Sequence, residues 1–331
     1  MFDPKLRRFK RYTPTTHLLG GSILTQTLAI IIPCHNEEEN VPLFYQAVQR
    51  TFAELPDYKP IFWYINDGSV DRTLAEIQQL QLTDPDVHYI DFSRGFGKEA
   101  GMYAGLQHAK ADLYTIMDAD LQDPPAMLKD MLAGIREGYE MVGAARMDRT
   151  GEPALRSFFS NMFYKVINKI SKTEIVPGAR DFRVMTPKYV NAVLSLSERN
   201  RFSKGIFGWI GFKSKYLPYE NVEREHGQTS WSFSSLFQYS LDGIIDFSDV
   251  PLTVVSWLGL TSCVLSILAM LFIVVRALFW GGSVAGWPSM VSILLLIGGL
   301  QLFGTGILGK YIGKIYLEIK NRPIYIVNEI K

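Results

Sequence analysis

Short apolar runs alternate with mixed stretches through the first half of the chain. The segments "LAIIIP" (28–33), "IFWYIND" (61–67), "VHYIDF" (87–92), "LYTIM" (113–117) and "MVGAAR" (141–146) have the length and the β-branched or aromatic content of buried strands. Stretches near 38–53, 71–80, 98–109 and 125–138 separate them and read as helices. This rhythm predicts an α/β domain with a mostly parallel sheet covered by helices on both faces. Ligands of such a sheet gather at the carboxyl ends of its strands. Those ends carry Pro33 to Glu37, Asp67 to Ser69, Ser93 to Lys98 and Asp118 to Gln122.

The pattern changes in the last third. Pro251 to Val275 holds no charged residue, and after Arg276 the chain is again uncharged from Ala277 to Gly309. About 20 apolar residues span a bilayer, so two transmembrane helices are expected, roughly 251–275 and 288–309, joined by a short loop around "WGGSVAGW". Lys310, Lys314, Lys320 and Arg322 follow the second span, whereas Arg276 is the only charge near the loop. The positive-inside rule then places both termini and the catalytic domain in the cytoplasm of a multi-pass cell-membrane protein. Two amphipathic segments fit a bilayer surface or a half-buried face of the soluble fold equally well: "ALRSFFSNMFYKVINKI" (154–170) and "RNRFSKGIFGWIGFKSK" (199–215).

Composition alters this picture little. The chain has 331 residues and a net charge of +1, which gives no support to nucleic-acid binding. Cys34 and Cys263 fall in an expected strand and an expected membrane span, so neither a disulfide nor a C-x-x-C site is expected. The basic start and the apolar stretch from Leu18 to Cys34 resemble a signal peptide, but Gly20-Gly21 and "TQT" interrupt it; residues 1–27 read as a cytoplasmic arm. The expected order is that arm, a catalytic domain over 28–232 including the membrane-surface helices, a juxtamembrane segment over 233–250, the two spans within 251–309, and a tail over 310–331.

The candidate chemistry centres on "MDADLQDPP", Met117 to Pro125. Alternate residues of a strand face one side, so Asp118, Asp120 and Gln122 would face one ligand if the strand geometry persists. Two carboxylates and an amide oxygen suit Mg²⁺ or Mn²⁺, with positions left for water and a substrate diphosphate. The alternative is a solvated turn whose aspartates cap the helix begun by Pro124 and Pro125. Lys98, after a glycine-rich turn, is either a diphosphate contact or a solvated helix start. Asp181 approaches the reacting carbon, orients an arginine, or pairs with Arg180 or Arg183. His35 and His226 have no second His or Cys at metal spacing and read as packing or loop residues. The polar stretch "REHGQTSWS" (224–232) is an acceptor-side loop or a linker.

Taken in order, "IIIPCHNEEENV", "INDGSVDRT", "FSRGFGKEAGMYAGL", "MDADLQDPP", "GARDFRVM" and "ERNRFSKGIFGWIGF", followed by two spans, resemble family 2 glycosyltransferases of the polyprenyl-phosphate group. The resemblance covers the chain from about residue 28 onward. It implies a GT-A nucleotide-diphospho-sugar transferase fold, a nucleotide-sugar donor, a divalent metal, and transfer with inversion to a lipid phosphate. It assigns Pro33, Asn36 and Glu37 to the nucleotide pocket, Asp67 to the base or ribose, and Asp118, Asp120 and Gln122 to the metal. Asp120 and Asp181 are the candidate catalytic residues, and Lys98 and Asp118 join the donor-binding set. Arg146, and Arg156 with Ser160, match the acceptor-phosphate residues of that group. Asn66 stands where many relatives carry aspartate, and Gly95 where many carry asparagine.

The expected function is therefore transfer of a hexose to undecaprenyl phosphate for cell-envelope glycosylation. UDP-glucose is the first choice of donor, with UDP-N-acetylglucosamine, UDP-galactose and GDP-mannose as alternatives. A homo-oligomer is expected from the poor anchorage of a single hairpin. A processive polysaccharide synthase is disfavoured because no Q-x-x-R-W motif is present. A non-catalytic membrane scaffold would have no reason to keep Asp118, Asp120, Gln122 and Arg156 together.

Overall fold

The computed structural model describes residues 25–146, 165, 167–171, 176–219, 244–246, 248–280 and 286–331. Strands and helices alternate through the first part: β1 (Gln26–Cys34), α1 (Asn40–Ala53), β2 (Tyr58–Asn66), α2 (Thr73–Thr83), β3 (Val87–Phe92), α3 (Lys98–His108) and β4 (Leu113–Ile116). A 3₁₀ turn (Pro125–Met127) then leads into α4 (Leu128–Arg136) and β5 (Met141–Arg146). Beyond these come β6 (Ala179–Met185), α5 (Pro187–Ser195), α6 (Ser203–Trp209), β7 (Ser214–Tyr219), α7 (Val250–Trp280), α8 (Trp287–Ile319) and β8 (Val327–Ile330).

Among the described residues the strands form one eight-stranded sheet in the order β7-β5-β6-β4-β1-β2-β3-β8. The pairs β1–β2, β1–β4 and β2–β3 are parallel, as the sequence rhythm predicts, and β5 is also parallel to β7. Strand β6 runs antiparallel between β4 and β5, and β8 runs antiparallel along the far edge of β3. The sheet is therefore mixed. Burial on both faces explains the continuous apolar runs of its central strands. Ile30 and Ile32 of β1 face a core shared with Phe44, Val48, Leu128 and Met131, whereas Ala29 and Ile31 face one shared with Ala104, Leu106 and Tyr189. Helix α3 lies close against this second face: a Cβ on Gly105 would come within 2.4 Å of the Ile31 side chain.

The fold corrects one expectation and decides one open alternative. Strand β4 stops at Ile116, and Leu121 has a left-handed backbone (φ 55°), so the D-x-D motif occupies a turn and strand alternation does not align its carboxylates. In the 199–215 segment, Phe202, Ile206 and Phe207 are buried in the protein while Trp209 is 61% exposed. The apolar side of that segment thus belongs mainly to the core. Of the 154–170 segment, only Lys165 and residues 167–170 are described, with Ile167 buried.

The two long helices follow the expected positions, although α8 continues past residue 309 to Ile319. They pack antiparallel: a Cβ on Gly304 would lie 3.1 Å from Val255, and the Tyr311 hydroxyl donates to the Ser248 carbonyl at 2.7 Å. Among the described residues one segment, Val250–Ala269, is long and apolar enough to cross a membrane. Its flank exposes Trp257, Leu260, Leu265 and Leu268, an apolar surface of the kind that water does not favour.

Candidate active site

The loops after β1, β2 and β3 are tied together at the carboxyl end of the sheet. Asn36 has a left-handed backbone (φ 57°), which its short amide side chain tolerates. Its Oδ1 accepts from the Val70 amide at 2.9 Å, and its own amide donates to the Ser69 hydroxyl at 3.0 Å. The Glu37 amide donates to Thr73 Oγ1 at 2.7 Å, and the Glu37 carboxylate accepts from Asn40 Nδ2 at 2.5 Å. Pro33 packs beneath α3, where a Cβ on Gly101 would lie 3.2 Å away. His35 is a loop residue, as expected, with Nδ1 2.8 Å from the Asp67 carbonyl oxygen.

Asp67 has a role the sequence did not suggest. Its two carboxylate oxygens accept from the Phe96 and Gly97 amides at 2.6 and 2.9 Å, so it braces the glycine-rich turn before α3. Close approach of the two loops requires Gly68: its φ is 65°, and a Cβ there would fall 2.4 Å from the Gly95 amide nitrogen. Neighbouring Asn66 donates to Asp91 at 2.7 Å, and Asn328 of β8 donates to the other Asp91 oxygen at 2.7 Å. An aspartate at 66 would set a second carboxylate against Asp91, which gives Asn66 a physical reason.

The braced turn delivers Lys98 to the centre of the site. Its ammonium lies 2.7 Å from Asp118 Oδ1 and 2.7 Å from Asp181 Oδ2, joining the turn after β4 to strand β6. Asp181 therefore pairs with Lys98, not with Arg180 or Arg183 as the sequence left open. Desolvation lowers the Lys98 pKa, but Asp118 and Asp181 outweigh it and the net shift is upward. Burial raises the Asp181 pKa, yet Lys98 and then Lys204 reverse this and hold it well below the usual carboxylate range. Both ions are thus kept charged.

Asp120 is buried, and its Oδ1 accepts from the Gln122 amide at 3.2 Å. Gln122 Oε1 accepts from Arg180 Nη2 at 3.2 Å. The next aspartate, Asp123, was not singled out from the sequence, yet it is only 2% exposed. It accepts from Arg180 Nε at 3.3 Å and from the Tyr219 hydroxyl at 2.7 Å. Burial raises its pKa against the opposing pull of Arg180. Its position directly before Pro124-Pro125 looks like turn chemistry, and nothing local reveals that β7 brings Tyr219 to it.

Arg146 ends β5, half-buried, and its amide donates to the Gly178 carbonyl at 2.9 Å. Pairing of Ala145 with Ala179 sets it beside the start of β6, the strand that carries Arg180 and Asp181. Arg156, Ser160 and the 224–232 stretch lie outside the described residues. As a donor set, Asp118 and Asp120 supply hard oxygens in one turn, which fits Mg²⁺ or Mn²⁺ shared with a diphosphate. Among the described residues no group of three or more His, Cys, Asp or Glu could hold a metal.

The family model for Glycosyl transferase family 2 matches residues 29–194, the region that builds this site. The chain belongs to glycosyltransferase family 2. The SfII prophage-derived bactoprenol glucosyl transferase of Shigella flexneri is 39% identical over 302 residues, covering 91% of this chain and 97% of that protein. The prophage bactoprenol glucosyl transferase homolog of Escherichia coli (strain K12) is 38% identical over 304 residues, covering 92% and 99%. Among solved structures, the glucosyl-3-phosphoglycerate synthase of Mycobacterium tuberculosis in complex with Mn²⁺, UDP-glucose and phosphoglyceric acid aligns with a TM-score of 0.42 at 14% identity, over 70% of this chain and 84% of that one. This glycosyltransferase has a GT-A-like α/β fold built on the mostly parallel mixed sheet.

Proposed function

We propose that this family 2 glycosyltransferase moves glucose from UDP-glucose, with inversion, to undecaprenyl phosphate at the cytoplasmic face of the cell membrane. The observation that carries the reading is similarity to proteins named bactoprenol glucosyl transferase along nearly their whole length, 97% of the Shigella flexneri protein included. The lipid-linked glucose would serve as a sugar donor for cell-envelope glycosylation. Consistent with this, α7 and α8 would form a membrane hairpin, with both termini and the catalytic domain in the cytoplasm.

In this reading Pro33, Asn36 and Glu37 line the nucleotide pocket, and Asp67 acts by fixing the turn that carries Lys98. Asp118 and Asp120, with Gln122 beside them, would hold Mg²⁺ or Mn²⁺, which supplies charge neutralisation for the leaving nucleoside diphosphate. Lys98 holds Asp118 and Asp181 in fixed relation, so the donor side and the β6 side of the site keep one geometry. The attacking oxygen belongs to a phosphate monoester whose second pKa is about 6, so it is largely ionised near neutral pH without a strong base. What this dianion requires is cationic positioning, and Arg146 and Arg156 with Ser160 are assigned that role.

The test is a donor panel. Purified protein in bilayers containing undecaprenyl phosphate is given UDP-glucose, UDP-N-acetylglucosamine, UDP-galactose or GDP-mannose, each labelled in the sugar. Label is expected in the lipid phase with UDP-glucose and at least about tenfold less with the others, a gap equivalent to about 1.4 kcal/mol in transition-state binding. Preferential labelling from another donor would overturn the glucose assignment.

A further inference from the structure

Lys98 and Glu99 are consecutive residues in the first turn of α3, and they reach in different directions to different parts of the protein. Lys98 grips Asp118 and Asp181. The Glu99 carboxylate accepts from the Ser203 amide at 3.2 Å and from the Ser203 hydroxyl through its other oxygen. Ser203 is the first residue of α6 and is buried, so Glu99 fastens the start of that helix to the start of α3. Burial raises the Glu99 pKa, with Asp181 the second contribution. Holding a carboxylate there costs free energy that an apolar contact would not.

The bond is one link in a longer series. Immediately before α6, the Arg199 and Asn200 amides donate to the Glu318 carboxylate at 2.8 and 3.3 Å. Asn200 Nδ2 donates to Asp246 at 2.6 Å, and Lys314 lies 3.1 Å from the same carboxylate group. The Arg199 guanidinium donates to Asn321 Oδ1 at 2.5 Å and also to the Arg322 carbonyl. Glu318, Lys314, Asn321 and Arg322 sit in or just after the last turns of α8, and Asp246 lies just before α7. Polar contacts joined by short covalent stretches thus run from the C-terminal end of α8 to residues 199–200, along the chain to Ser203, across to Glu99, and so to its neighbour Lys98.

We propose that Glu99 is a positioning residue: it anchors the start of α6 to α3, and thereby fixes Lys98 against Asp118 and Asp181 while tying the site to the C-terminal end of α8. The catalytic consequence rests on the proposed glycosyl transfer, whereas the placement of Lys98 does not. The test therefore reads both. Wild type, Glu99→Gln, Glu99→Ala, Ser203→Ala and the Glu99→Ala/Ser203→Ala pair are compared as full-length protein in bilayers containing undecaprenyl phosphate. The glutamine variant keeps the shape and one acceptor oxygen, which protects against simple misfolding.

Glu99→Ala is expected to lower kcat about tenfold, with UDP-glucose affinity by calorimetry within about twofold of wild type and an unchanged unfolding midpoint. Glu99→Gln should retain most of kcat, and the double variant should be no worse than Glu99→Ala, since both changes cut one link. Independently of turnover, acylation of Lys98 by an amine reagent, followed by peptide mass spectrometry, should be several-fold faster in Glu99→Ala. Equal Lys98 labelling in wild type and Glu99→Ala would overturn the inference, as would a loss of kcat that tracks the unfolding midpoint or multiplies with Ser203→Ala. If wild type transfers no sugar, the functional reading fails, and the labelling comparison still decides the role of Glu99.

Discussion

The Lys98 ammonium stands between carboxylates from two elements, Asp118 after β4 and Asp181 in β6, and the pair of shifts it produces has a defined pH consequence. Because the folded Asp181 pKa is depressed, its stabilising contribution is complete above the unfolded value near 3.9 and is lost as pH falls through the folded value. Because the folded Lys98 pKa is raised, its contribution is complete below the unfolded value near 10.4 and is lost as pH rises through the folded one. The link is therefore intact across the physiological range. In Lys98→Met the half-buried Asp181 loses its main counter-charge, so its pKa should rise. We expect transfer to fall about a hundredfold, and the acidic limb of the kcat/KM profile to move to higher pH. An acidic limb at the wild-type position would separate Lys98 from Asp181. At this scale the sequence revealed the residue types at the strand ends but not their partners. Asp118, Asp120 and Asp181 were legible; the brace made by Asp67, the Asp123–Arg180–Tyr219 contacts and the Glu99–Ser203 link depend on residues between 29 and 104 positions apart, which no local pattern encodes.

Elements that complete their own pattern locally were the readable ones. Strands β3 and β5 begin and end at the expected residues, and β1, β2 and β4 differ at their ends by one to three residues. Strand β6, "ARDFRVM", was missed because a buried arginine interrupts its apolar alternation: Arg183 is 1% exposed and stacks over Phe207 at 3.6 Å. Strand β8 was missed because four residues after a long helix carry too little signal, and only pairing with β3 makes them a strand. That pairing covers an edge and brings Asn328 to Asp91 and Glu329 to the Tyr89 hydroxyl, at 2.7 and 2.8 Å. Deleting residues 324–331 should therefore uncover β3 and lower stability of the catalytic domain by about 1–3 kcal/mol, read from the urea midpoint. An unchanged midpoint would show that β8 lies on the edge without supporting it.

At the scale of the whole molecule, residues 199–203 and the C-terminal end of α8 join the sheet-end site to the pair of long helices. The helices were legible from their long uncharged runs, which need no distant partner to be read. Their orientation is checked with single cysteines in a Cys34→Ser/Cys263→Ser background and an impermeant thiol reagent. A cysteine at Ser283 should label in intact cells, and one at Asn328 only after the membrane is opened; the reverse pattern would invert the topology. The central claim is that the turn after β4 supports sugar transfer to a lipid phosphate. Its most direct test is sugar-labelled UDP-glucose with undecaprenyl phosphate in bilayers, comparing wild type with Asp120→Asn. The account predicts labelled lipid and released UDP with wild type, and at least about a hundredfold less of both with a folded, membrane-bound Asp120→Asn protein. Equal lipid labelling by the two proteins would contradict it.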